Sequence, residues 1–289
     1  MSNRFLLIVA VLLGIGTFFA YQHKSQSLPQ SSLYVNGPIY VPPPPEPERP
    51  VPPHPAMQYI NLINARNSQI RSINYRSLTL RIKKDVTVSL NGSMAYEKEK
   101  RFRMKTRSFM GRESDVGSND SKFWFWSKRM EPSLLYYCDH ENTHRSRLRT
   151  PFHPAWMRET IGIDMIDTKD VTIIEEDGMW QIFQQRKSVT GKKIVHMTLI
   201  DKEKILGRYI YTPNGDLVIS SEVKEFYRID GHIVSKINHI YWAEEDVVNQ
   251  WIMNKPDLNS SIDPRMWQMP NMRNSIDLGK PKFWCESQE

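Results

Sequence analysis

Residues 91–129 read NGSMAYEKEKRFRMKTRSFMGRESDVGSNDSKFWFWSKR, and this stretch decides the fold. Phe102 and Met104 alternate with Arg101, Arg103 and Lys105. That two-residue period is the mark of a strand with one buried face and one wet face. A strand ends near Tyr96, Phe102–Phe109 forms the next, and Arg112–Gly117 follows. Asn91-Gly92 and Ser118-Asn119-Asp120 read as turns, because Asn, Asp and Gly tolerate tight backbone geometry. Phe123-Trp124-Phe125-Trp126 then puts two rings on each face of a strand. Two readings follow for it: a strand buried on both sides, or one face in a core and the other lining an apolar cavity.

The same period extends outward. Leu78, Leu80 and Ile82 alternate with Thr79 and Arg81, and Val86, Val88 and Leu90 with Thr87 and Ser89. Strand-like runs recur at Leu134–Cys138, Val171–Glu175, Trp180–Arg186, Ile194–Ile200, Gly207–Thr212, Leu217–Arg228 and Ser235–Trp242. Asp177-Gly178, Thr190-Gly191, Asn214-Gly215 and Asp230-Gly231 mark turns between them. Closely spaced turns between alternating runs predict an antiparallel sheet of many strands. Helical spacing is confined to Ala56–Ser72, His153–Ile163 and Ala243–Asn254. No strand, glycine-rich loop and helix occur in succession, which argues against a nucleotide-binding α/β fold.

Upstream, Phe5–Tyr21 reads FLLIVAVLLGIGTFFAY without a charge. As a helix it is about 25 Å long, near the ~30 Å of a hydrocarbon core. It is either an uncleaved membrane anchor or a signal peptide, and both predict export. Gln22–Pro55 is a linker whose prolines, concentrated from Val41 on, favour polyproline II over helix or sheet. The sequence thus divides into a membrane segment at 1–21, a spacer at 22–55 and a folded domain at 56–289.

Catalytic signals are weak. His140-Glu141-x-x-His144 matches a zinc-hydrolase motif, but that chemistry needs both imidazoles on one face of a helix. Residues 134–149, LLYYCDHENTHRSRLR, are strand-like and then polar, with no apolar stripe to bury a helix. Glu159 and Glu175 are available as a third ligand without a supporting motif. There is no nucleophile elbow and no Walker loop, so no enzyme, metal or cofactor is expected. His196, His232 and His239 lie on strands or turns without a visible partner. Cys138 and Cys285 leave a disulfide open. The net charge of +7 includes basic stretches at Lys98–Arg107 and at Arg145, Arg147 and Arg149. In an exported protein these suit anionic lipid headgroups better than nucleic acid.

The order of Gly92, Lys98, Phe102, Asn119, Asp120 and Trp124 resembles the LolA/LolB-like family of bacterial lipoprotein-sorting factors. The resemblance covers residues 56–245 and is strongest at 91–129. It implies a curved, incomplete antiparallel β-barrel, mainly β, around an apolar cavity with a helical lid. It further implies that the cavity holds acyl chains of lipids or lipoproteins. The cavity would be lined by Leu80, Ile82, Val88, Leu90, Phe102, Met104, Trp124 and Trp126. Trp156, Met157 and Ile161 would belong to the lid, and Lys98 would stand where the family places a lid latch. Lysine lacks the bidentate fork of the family's arginine at that point. A tethered lipid handler in the periplasm, anchored to the inner membrane, with an envelope protein as a further partner, is the expectation. The alternative is a non-enzymatic interaction module on the same fold.

Overall fold

A computed structural model describes residues 54–97, 100–145, 156, 159–188 and 191–280. The apolar run, nearly all of the spacer, Lys98, Arg147, Arg149, Met157 and Cys285 lie outside the described residues. No helix among the described residues is long and apolar enough to cross a membrane.

Helix α1 (Ala56–Ser68) comes first. It stops before the expected Ser72, because the amides of Gln69 and Ile70 turn back to the carbonyls of Arg66 and Asn67. Ser72, the expected last residue of the helix, instead opens the first strand, and Ile73 after it is buried there.

Among the described residues fifteen strands form one sheet. The first half comprises β1 (Ser72–Lys83), β2 (Thr87–Glu97), β3 (Arg101–Ser108), β4 (Gly111–Ser118), β5 (Lys122–Ser127) and β6 (Leu135–Asp139). The second comprises β7 (Val171–Glu176), β8 (Met179–Lys187), β9 (Lys193–Asp201), β10 (Lys204–Tyr211), β11 (Leu217–Ile229), β12 (His232–Trp242) and β13 (Val247–Met253). Two short strands, β14 (Asp257–Leu258) and β15 (Ser275–Asp277), complete it. The order β15-β6-β5-β4-β3-β2-β1-β13-β12-β11-β10-β9-β8-β7 joins the two meanders through β1 and β13. The sheet is strongly curved and does not close.

The β1–β13 junction replaces an expected helix. Ala243–Asn254 forms a tight turn, with Asp246 at φ 51°, and then β13. Val247, Asn249, Trp251 and Met253 are buried in strict alternation, paired to β12 on one side and β1 on the other. The two-residue period of VVNQWIM outweighed its helical spacing. Asn91-Gly92 is likewise no turn, since both residues lie inside β2, opposite Arg107 and Thr106. Gly92 is required by a close approach: a Cβ there would stand 2.3 Å from the Lys105 carbonyl oxygen. Val86 is an exposed turn residue, and β2 starts after it.

One inner face gathers the main core. Leu78, Leu80 and Ile82 of β1 meet Leu90 and Met94 of β2, Phe102 and Met104 of β3, and Trp251 and Met253 of β13. A second cluster lies under α1, where Ala56, Ile60 and Ile63 pack on Trp180, Ile182, Ile200 and Ile205. The outer face of β2–β5 is covered by the segment after β13. Ile262 and Trp267 pack on Ala95, and β15 then pairs in parallel with β6.

Candidate functional site: the capped inner face

Leu80, Ile82, Leu90, Phe102 and Met104 come together on the inner face, all buried, with Val88 half-buried against them. Trp124 and Trp126 do not join them. Phe123 and Phe125 carry the inward positions of β5, so the intervening tryptophans point outward. Trp124 is fully buried on that outer face, where it lies over Gly117 and its indole N–H donates to Asp115 Oδ1 at 3.2 Å. A Cβ at Gly117 would collide with this ring at 2.3 Å. The sequence required two rings on each face, and the resemblance put Trp124 and Trp126 inward; the structure places Phe123 and Phe125 there instead.

Asp115 is the centre of an outer-face clamp. Arg103 reaches it through Nε at 3.0 Å and Nη2 at 2.8 Å, and both side chains are almost wholly buried. The remaining guanidinium nitrogen, Nη1, donates to the carbonyls of Met266 and Gln268 and so holds the C-terminal segment on the sheet. Asn119 and Asp120 of the matching motif are structural too. Asn119 Oδ1 accepts from the amides of Ser121 and Lys122, and Asp120 pairs with Arg101.

The inner face is capped by the segment at 159–167, together with Trp156. Trp156, Ile161 and Ile163 join the main core, with Trp156 tilted against Trp242 at 5.7 Å. Of the expected helix His153–Ile163, Trp156, Glu159 and Thr160 are helical, and the chain leaves the helix at Gly162, φ 73°. Its backbone is fastened to the sheet by polar side chains. Ser235 Oγ donates to the Ile161 carbonyl at 2.7 Å, and Ser221 Oγ to the Thr160 carbonyl at 3.2 Å. Asn238 Nδ2 donates to the same Thr160 carbonyl. From α1, Asn64 Nδ2 donates to the Ile166 carbonyl, and Oδ1 accepts from the Ile166 amide.

One ionic cluster ties this cap to the second meander. Glu159 lies 2.7 Å from His196 Nε2 of β9 and 3.5 Å from Arg186 of β8. Arg208 of β10 is buried beside them and donates to Thr198 Oγ1 at 2.6 Å. Burial alone raises the Glu159 carboxyl, but the His196 hydrogen bond and the charges of His196, Arg208 and Arg186 hold it at about 2. Burial lowers His196 against the opposing pull of Glu159. Glu159 is therefore an ionised fastener at neutral pH, hydrogen-bonded to His196 and facing two guanidinium groups. This cluster was missed in the sequence. His196 and Glu159 are 37 positions apart, and nothing local pairs them.

The crevice among Ile63, Asn67, Ile161, Ile205 and Ser235 holds about 10 Å³, room for one water.

The zinc motif does not form a metal centre. His140–Arg145 is a 3-10 helix, whose three residues per turn separate the two imidazoles. His140 Nε2 is 2.8 Å from the Asn119 carbonyl oxygen. Among the described residues no group of His, Cys, Asp and Glu is placed to hold a metal. Cys138 is a buried free thiol, pushed up to about 11 by burial.

A curved, unclosed, mainly β sheet with a helix and a cap on its inner face is a LolA-like incomplete barrel. Solved structures share this fold at low sequence identity. A protein domain named for outer-membrane lipoprotein sorting, from Vibrio parahaemolyticus, is 7% identical with a TM-score of 0.50, over 73% of this chain and 97% of that one. A DUF1329 family protein from Desulfovibrio piger is 12% identical with a TM-score of 0.50, over 74% and 97%. A LolA superfamily protein from Nitrosomonas europaea is 11% identical with a TM-score of 0.49, over the same shares. No family model and no curated protein matches the sequence.

Proposed function

We propose that this chain is a non-enzymatic lipid or lipoprotein handler of the bacterial envelope, exported and tethered by Phe5–Tyr21. Acyl chains enter the inner face between the sheet and the cap, against Leu80, Ile82, Val88, Leu90, Phe102 and Met104. Trp156, Met157 and Ile161 serve as lid residues, and Lys98 as a candidate latch. The observation that carries this reading is the way the cap is held. Its three apolar side chains cover the main core, while its backbone is fastened by separable polar contacts and one ionic cluster.

The energies are close to balance. Burying an acyl chain of about fifteen methylenes gains roughly 12 kcal/mol. Lifting Trp156, Ile161 and Ile163 costs about 1.5–3 kcal/mol each, so about 5–9 kcal/mol together. Releasing Glu159 adds about 3 kcal/mol. A near-balanced exchange suits a protein that must release what it takes up. Mass spectrometry of lipids extracted from gently purified full-length protein tests the proposal. Stoichiometric acyl lipid supports it, and lipid-free protein sinks it.

The packing of Trp156, Ile161 and Ile163 into the main core favours a second reading, an interaction module whose hollow stays filled. That reading predicts capture of an envelope protein partner with no lipid in the complex.

A further inference from the structure

We infer that Arg186, His196 and Arg208 form a head-group site for an anionic amphiphile, a carboxylate or a phosphate on an acyl chain, and that Glu159 occupies this site while the cap is closed. The inference deepens the acyl-handling reading and rests on it. The three side chains rise from β8, β9 and β10. His196 stands opposite Gln184 on one side and Ile210 on the other, and Arg208 stands opposite Thr198. Arg208 is 3% exposed. Its Nη1 donates to Thr198 Oγ1 and its Nη2 to the Asp164 carbonyl at 3.4 Å, but its Nε is buried without a hydrogen-bond partner. A guanidinium held in a dry interior without a directly bonded carboxylate is costly, and fastening a cap does not require one.

The sheet itself offers these cations no counter-charge. β8, β9 and β10 carry one carboxylate, Asp201, which pairs with Lys204 across the β9–β10 turn. Glu222 and Glu225 of β11 pair with Lys224 and Lys236. The balancing carboxylates sit on the cap instead. Glu159 faces His196 and Arg186, Asp164 attracts Arg208, and Asp167 accepts from Gln184, whose Oε1 accepts from Arg186. Lifting the cap therefore bares two guanidinium groups and an imidazole together, with nothing on the sheet to neutralise them. An anion arriving with the ligand restores the balance, and arginine's planar fork takes carboxylate and phosphate alike. A neutral head would leave both charges unpaired. Arg208, Ser221, Ile240, Asn249 and Ile82 follow one another across β10, β11, β12, β13 and β1. Head site and tail site are thus four strand spacings apart, ~19 Å along the sheet, within reach of a long acyl chain.

The test is calorimetric titration of delipidated full-length protein at neutral pH with dodecanoate, dodecyl phosphate and dodecanol, which share one tail. The expected result is that an anionic compound binds at least about ten-fold more tightly than the alcohol. Whichever anion binds more tightly identifies the head as carboxylate or phosphate. Arg186→Gln/Arg208→Gln should bring the anion-to-alcohol ratio near one. Arg186→Gln alone, at a partly exposed position, should lower the ratio, which keeps the test decisive if the double variant does not fold. Glu159→Gln should raise the ratio, because the competing carboxylate is gone. A ratio near one in the unmodified protein, or a ratio that the arginine substitutions leave unchanged, overturns the head-group site while acyl uptake stands. Failure of all three compounds to bind removes acyl uptake itself, and this site with it.

Discussion

Replacing Glu159 by alanine removes the carboxylate bonded to His196 and paired with Arg186 at the cap, and leaves buried Arg208 with Asp164 as its remaining nearby carboxylate. The size of the loss follows from the carboxyl's displacement. It titrates at about 2 in the folded chain, against roughly 4.3 for a free glutamate. That difference is worth about 3 kcal/mol at neutral pH, the low end of the range for breaking a buried ion pair. For a domain of this size, 1 kcal/mol moves Tm by about 2–4 °C, so Glu159→Ala lowers Tm by about 6–12 °C. The sign with pH is fixed as well. A depressed carboxyl stabilises fully above its unfolded value, and this contribution fades as pH falls from about 4.3 towards 2. Thermal melts of the two proteins at pH 7 should therefore differ most, and the gap should narrow below pH 4. Because Glu159 holds the cap, the variant should also take up a fluorescent acyl probe faster. An unchanged Tm, or a gap that widens in acid, would refute the ionic fastening.

Asp115→Ala leaves Arg103 buried and unpaired and strips the indole of its acceptor, so urea denaturation should show a loss of about 3–5 kcal/mol. Replacing Arg103 and Asp115 together by methionine and leucine should recover most of that loss, which a double-mutant cycle measures. Gly92→Ala drives a Cβ into the Lys105 carbonyl and should cost about 1–3 kcal/mol or more, read from the urea midpoint.

The meander was legible because its strands obey a simple rule. Where one face is buried and the other wet, as at Leu78–Ile82, alternation alone marks the strand and the inward residues. The rule fails where both faces are covered. β5 carries rings on both sides, so parity could not say that Phe123 and Phe125 face inward; only the C-terminal segment and the Arg103–Asp115 pair, distant in sequence, fix the outward place of Trp124. β13 misled for a related reason. Its alternation is short, seven residues, too few to outweigh the helical spacing read over Ala243–Asn254. The inner face of the site was thus largely readable, as at Leu80, Ile82, Leu90, Phe102 and Met104. Its fastening was not, because a buried glutamate and histidine from separate elements leave no periodic trace.

The most direct measurement is equilibrium titration of delipidated full-length protein with a fluorescent fatty acid. Saturable binding, displaced by unlabelled fatty acid and weakened by Leu80→Lys on the inner face, is the predicted result. Binding that never saturates, or saturable binding indifferent to Leu80→Lys, would contradict an acyl site between sheet and cap.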